Sequence, residues 1–298
     1  MTTPLARQAS SPPIGLELRR RARQHPGVWA ANGAVVVLLL GVVSAAITTP
    51  GFGWDVVGAY LFEVRVLHGA AISVGMTVVT MALSIVLGTG VAVLRMGKAR
   101  GPAMAAATFI WVFRAVPMLV QLLFWYNLAA LFPKLSIGIP FGPDLVSGNT
   151  NDLITPLTAA IIGLTLHETA YVAELVRAGL LSVPKGQAEA FAALGLTPAQ
   201  GFFRITLPQA LRIIVPPLGN EVISLLKATS LVSVIALSDL LYSVQLIYAK
   251  NYQTIPLLIA ASIWYMVIAG LLTVAQQQLE KRLARRTPKQ AKRLEDAL

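Results

Sequence analysis

Residues 24–54, 66–94 and 251–279 contain no Lys, Arg, Asp or Glu. Each run exceeds the roughly 20 residues that a helix needs to cross a bilayer, and a water-soluble core does not explain three of them in one chain. A helix satisfies its backbone within its own segment, as a span in hydrocarbon must. The overall balance agrees, with 56% hydrophobic and 12% charged residues. The fold class is therefore all-α, a polytopic membrane helical bundle.

The formal net charge of +11 raises nucleic acid as a partner. The basic residues, however, sit beside the apolar runs and at the tails, where retention on the cytoplasmic side of a membrane accounts for them. No nucleic acid is expected; membrane lipid is. The chain has no cysteine, which removes disulfides, thiolate catalysis and cysteine metal sites. Arg19 to Arg23 precede an apolar stretch ending in Ser44-Ala45-Ala46, the outline of a signal peptide. The stretch from Val28 to Thr48 is longer than a signal core of about 7 to 15 residues, so an uncleaved anchor is expected.

In chain order, residues 1–26 read as a disordered basic cytoplasmic tail. A first span follows at 27–48, then an external connection with one helix at the interface, where Trp54 and Tyr60 suit the membrane level. The second span, 67–94, is rich in Gly, Ala, Ser and Thr, which permits close helix packing, and ends at the basic loop Arg95, Lys98 and Arg100. The third, 102–127, is interrupted by Arg114 and Pro117, a break tolerated against protein or a water-filled path and costly against lipid. Residues 128–153 form the longest external connection, an external cap built of turns. The fourth span, 154–181, carries His167, Glu168, Glu174 and Arg177 and must be buried in protein or open to water. A fifth is expected from a re-entry near Asn220 to about Ile247, and a sixth at 254–276 before the basic tail 285–298. Six crossings place both termini and the basic loop in the cytoplasm. A five-span count, with 223–247 only dipping in, strands a basic tail outside.

Between the fourth and fifth spans lies a mixed polar and apolar segment, 173–212. Its middle reads as two short helices around a turn. Gln187 to Leu194 gives the first, Gly195 a C′ residue, and Thr197-Pro198 an N-cap and N1 pair opening the second. The second helix is expected to end near Thr206, before Pro208.

Within this segment Glu189-Ala190, Gly195, Ile205, Leu207 and Pro208 match the cytoplasmic EAA signature. The chain thereby resembles permease subunits of binding-protein-dependent ABC importers, most closely the polar amino acid branch. AYVAELVRAG (Ala170–Gly179), SVPKGQAEA (Ser182–Ala190), LPQALR (Leu207–Arg212), LLKATSLVSVI (Leu225–Ile235) and FRAVPMLVQLLFWY (Phe113–Tyr126) add to that likeness, which covers about residues 66–284. It departs at Phe191, where the signature usually has alanine, and at Ala115-Val116. The resemblance implies the ABC importer permease fold, a five-span core at 61–284 that includes the coupling segment 182–212. Residues 27–60 then form an added N-terminal span and its external connection.

The resemblance further implies an ATP-driven importer that moves polar or charged amino acids into the cytoplasm by alternating access, in a bacterial inner membrane. ATP and Mg would be bound by a partner ATPase dimer, since this chain has no GxxxxGK loop and no cofactor of its own is expected. The other partners are an extracytoplasmic amino acid-binding protein and a second permease, either another copy or a relative. Glu189, Ala190, Gly195, Ile205, Leu207 and Pro208 would couple to the ATPase. Arg114, His167, Glu168 and Glu174 are candidates for the solute path. Against this stands mutual pairing, above all Glu174 with Arg177 at helical spacing. Lys227, Thr229 and Ser230 are gate or anchoring candidates. A stand-alone channel or ion-coupled transporter is the alternative. A membrane enzyme is disfavoured by three scattered histidines and by the lack of HExxH or G-x-S-x-G.

Overall fold

A computed structural model describes residues 26–138 and 144–285. Apart from Pro26 and Arg285, which are helical, the tails expected at the two ends fall outside them, as do Pro140, Gly142 and Pro143. The chain divides into two compact units, the first ending at Phe52 and the second starting at Gly53. In the first, helix α1 (Pro26–Thr48) takes up the first charge-free run and a 3₁₀ turn follows at Pro50–Phe52. The helix is apolar on all sides, with Val37, Leu38 and Leu40 all exposed. A helix with no polar face has lipid for its solvent.

The second unit opens with α2 (Trp54–Leu61), α3 (Val64–Met96), α4 (Arg100–Ala115) and α5 (Met118–Tyr126). Strands β1 (Lys134–Gly138) and β2 (Asp144–Asn149) lead to the single-turn helix α6 (Thr150–Leu153) and the long α7 (Pro156–Leu181). Helices α8 (Lys185–Ala193) and α9 (Pro198–Gly201), then a π-helical turn at Phe202–Thr206, precede α10 (Leu207–Ala228). A 3₁₀ segment at Thr229–Ile235 leads to α11 (Leu240–Asn251) and α12 (Thr254–Arg285). Among the described residues five helices are long and apolar enough to cross a membrane, or six if α4 and α5, bent by 103° at their break, form one span.

Helices α3 and α7 pair through small side chains. Lipid supplies no hydrophobic drive between spans, so close packing and buried hydrogen bonds hold them together. A Cβ on Gly88 would lie 2.8 Å from Cβ of Val172, and the Ser84 hydroxyl donates to the Thr165 carbonyl at 3.1 Å. Pro156 at the first turn and Thr155, whose hydroxyl accepts from the Thr158 N–H at 3.3 Å, start α7 where the sequence places it. Leu122, Leu164, Leu225, Val232 and Ile235 fill the centre.

The external connection holds more order than turns. β1 and β2 pair antiparallel, Lys134 opposite Asn149, with an irregularity at Ile137 and Gly138. Five- and six-residue strands carry too little alternation to be distinguished from loop in the sequence. The connection after α1 holds the one expected helix, α2, whose end packs on α12: Trp264 donates its indole N–H to the Leu61 carbonyl at 2.7 Å and meets Phe62 edge to face at 6.1 Å.

Helix α12 measures the depth of the fifth crossing. Gln276, near its cytoplasmic end, donates to the Pro216 carbonyl and to Asn220, each at 3.1 Å. Tyr265, 11 residues and so ~16 Å further out, donates to Asp239 at 3.1 Å. Leu257 packs with Val66, Val244 and Ile247 at the external end. The stretch long and apolar enough to cross is Pro198–Ile235, so the expected fifth span from Asn220 to about Ile247 is not one helix: the chain passes from α10 through the 3₁₀ segment to the separate α11. Ala236 turns it in a left-handed conformation, φ 58°. The Asp239 carboxylate caps α11, accepting from the N–H groups of Tyr242 at 2.8 Å and Leu241 at 3.1 Å.

Candidate functional site

The hook between α7 and α10 is built from local signals. Helix α8 begins after Pro184 and ends in a Schellman motif: the Leu196 N–H donates to the Phe191 carbonyl at 3.1 Å and Gly195 to Ala192 at 3.0 Å. Gly195 makes that closure at φ 71°, where a Cβ is strained. Thr197 and Gln200 then form a reciprocal capping box around Pro198. Here the structure corrects one expectation. The helix does not stop before Pro208, because the π turn at Phe202–Thr206 absorbs the register change and Pro208 falls in the first turn of α10, where no N–H is needed.

Glu189, Ala190 and Gly195 are exposed on the hook; Ile205 and Leu207 are half-buried and Pro208 is exposed at its return. Leu194 and Phe203, 76% and 66% exposed, add apolar surface beside them. At the base Gly179 of α7 lies under Ile214 of α10, so the hook springs from a close helix crossing.

A second polar group gathers where α4 breaks into α5. Pro117 cannot donate to the helix it follows, and the buried Gln121 fills the gap: its amide donates to the carbonyls of Phe113 at 2.9 Å and Val116 at 2.8 Å. Those carbonyls orient the amide, which also lies 3.1 Å from Nδ1 of His167. His167 stacks on Tyr171 one turn along α7, ring centroids 5.0 Å apart. The Arg114 guanidinium lies 5.1 Å from the centroid of that same Tyr171 ring. Arg114 and Tyr171, with Arg95 and Trp111, line a cavity of about 430 Å³.

Glu168 is 4% exposed, and its Oε2 has no hydrogen-bond partner among the described residues. Glu221, half-buried, lies on α10, which packs against α7. Arg114 and His167 thus meet at the Tyr171 ring, and Glu168 follows His167 in α7. Glu174 instead binds Arg177, its Oε2 accepting from Nε at 2.9 Å and Nη2 at 2.8 Å. The hydroxyls of Thr229 and Ser230 donate to the carbonyls of Leu226 and Lys227, both at 2.7 Å, while the Lys227 side chain is exposed.

Sequence reasoning passed over Gln121, Tyr171 and Glu221. Tyr171 was signalled by its place four residues after His167, and Gln121 by its place four after Pro117. Glu221 had no local signal, because α10 alone brings it to α7. Among the described residues no group of three or more His, Cys, Asp or Glu is placed to hold a metal ion.

Residues 83–285 match the family described as binding-protein-dependent transport system inner membrane component. The chain belongs to that family. It is 41% identical over 262 residues to the arginine transport system permease protein ArgU of Corynebacterium glutamicum, covering 87% of this chain and 80% of that protein. To the L-cystine transport system permease protein TcyB of Bacillus subtilis it is 33% identical, over 78% of this chain and 92% of that one. Among solved structures it is similar to an amino acid ABC transporter crystallised with histidines, with TM-score 0.62, 31% identity, and 73% of this chain and 94% of that one covered. The inward-facing MetNI methionine transporter shares the fold, with TM-score 0.57 and 21% identity over 73% of this chain and 95% of that one. The chain is therefore a multi-pass inner-membrane permease subunit of an amino acid ABC importer, and its family implies a separate ATPase and a separate binding protein.

Proposed function

We propose that this permease carries cationic amino acids inward, and that the group around Tyr171 is where they pass. One observation carries the reading: Glu168, midway along α7, is buried with a carboxyl oxygen that no group among the described residues satisfies. An unpaired acid in a span is costly, and a cation arriving in transit would complete it. Glu221 on the neighbouring α10 adds a second carboxyl group, and Arg114 on the Tyr171 ring supplies the positive group that an α-carboxylate needs. The 41% identity to an arginine transport permease supports the same class.

The hook would then dock on the ATPase, with Glu189 as the charged contact and Gly195 as the tight turn. Ile205, Leu207 and Pro208 would carry motion into α10, while Glu174 with Arg177 and the pair Thr229 and Ser230 hold the bundle. The full assembly in this reading is an ATPase dimer beneath two permeases, the second a copy of this chain or a relative.

The test is ATP-driven uptake of labelled arginine by the reconstituted complex with its ATPase and binding protein, in competition with lysine, glutamine and glutamate. Lysine is expected to compete and glutamate to leave uptake unchanged. Glutamate competing as well as lysine would sink the cationic assignment.

A further inference from the structure

The departure from the signature at residue 191 has a counterpart ten residues on. Phe191 projects from α8, half-buried, and its ring lies against Gly201 at the end of α9, which is fully enclosed. A Cβ on Gly201 would come 2.5 Å from Cδ2 of that ring and 2.6 Å from Cε2 and Cγ, inside the reach of any real carbon contact. The backbone does not require glycine there, since Gly201 is ordinary helix with φ −60° and ψ −44°. Room is what it supplies.

Both residues also belong to the turn that joins the arms. The Phe191 carbonyl closes the Schellman motif at the end of α8, and the Gly201 N–H donates to the Thr197 carbonyl at 2.9 Å on the other side. A rigid ring cannot yield by a small torsion. With a methyl group at 201 it must swing out toward solvent, which removes the contact between the arms, or push α8 and α9 apart, which turns α8 and with it Glu189 and Ala190.

We propose that Phe191 and Gly201 are a matched pair of positioning residues that fixes the angle between α8 and the helix running from α9 into α10. They thereby set how ATPase motion enters the membrane. The proposal rests on the docking role given to the hook above.

In the reconstituted complex, Gly201→Ala is expected to lower ATP-driven arginine uptake roughly tenfold, the scale on which overpacking acts. Arginine moved per ATP hydrolysed should fall with it, while the ATPase still co-purifies. In the double variant Phe191→Ala with Gly201→Ala, the space is refilled from the other side and uptake should return to within roughly twofold of the unaltered protein. Uptake is expressed per permease molecule in the membrane, and recovery in the double variant is required whether or not the single variant lowers that amount. Unchanged uptake in Gly201→Ala, or a double variant no better than the single one, overturns the pairing. Coupling that survives Glu189→Ala would instead sink the docking role, whatever the rescue shows.

Discussion

The hook and the group around Tyr171 are both polar islands in an apolar chain, yet they settle their hydrogen bonds in opposite ways. The hook closes on itself: a Schellman turn at Gly195 and a capping box at Thr197 and Gln200 satisfy its helix ends, leaving Glu189, Leu194 and Phe203 as exposed surface. The mid-membrane group stays open. Glu168 Oε2 and Gln121 Oε1 are buried without a hydrogen-bond partner among the described residues. A buried polar atom left unmade costs about 1–3 kcal/mol, more when charged. One region closes its own hydrogen bonds and offers a surface; the other leaves buried polar atoms unmade among the described residues.

That contrast breaks most decisively at Glu168. Glu168→Gln keeps the volume and removes the charge, and ATP-driven arginine uptake is expected to fall roughly 100-fold, as when one partner of a buried charged contact is lost. The amount inserted in the membrane and its thermal stability in detergent should hold, because an unpaired buried acid is itself a burden. Undiminished uptake with lowered stability would make Glu168 a structural residue and remove the contrast.

A smaller effect is expected on the hook. Glu189 is exposed, and an exposed charge is worth little to the fold. Glu189→Ala should leave thermal stability and arginine binding unchanged while reducing co-purified ATPase and coupled uptake by ~5-fold, within the 1–3 kcal/mol range of single contact losses at an interface. Loss of stability with normal coupling would mean that the hook needs Glu189 for itself.

The same contrast explains what could be read beforehand. Gly195, Thr197 and Pro198 act within four residues of themselves, so the turn was legible from their order alone. Arg114 and Pro117 announced the break in the third span for the same reason. The continuation through Pro208 was hidden, since a π turn changes hydrogen-bond register without a residue of its own to mark it. Partners from other helices are long-range: Gln121 meets His167 only because α5 packs on α7, and Asp239 caps α11 while accepting from Tyr265 of another helix. Periodicity gives the face of a helix but not the helix that covers it. The β-hairpin escaped for the opposite reason, each strand being too short to show a period.

The smallest effect sharpens the comparison from within the hook. If the hook holds its own shape, removing one cap should loosen it locally and leave the membrane group untouched. Thr197 accepts from the Gln200 N–H at 3.3 Å, while its own N–H donates to Gln200 Oε1 at 3.0 Å. Thr197→Ala deletes the first bond and is expected to cost about 1 kcal/mol, the usual worth of a helix N-cap. Hydrogen exchange in the detergent-solubilised permease should show the amides of residues 199–201 opening roughly fivefold more often, with those of α7 unaltered. Exchange that rises in α7 as well would tie the hook to the bundle through more than the α10 crossing. Equal exchange throughout would mean that Pro198 and the Schellman turn hold the corner without the cap. Thr197→Ser retains the hydroxyl and should restore protection, which separates the hydrogen bond from the loss of the methyl group.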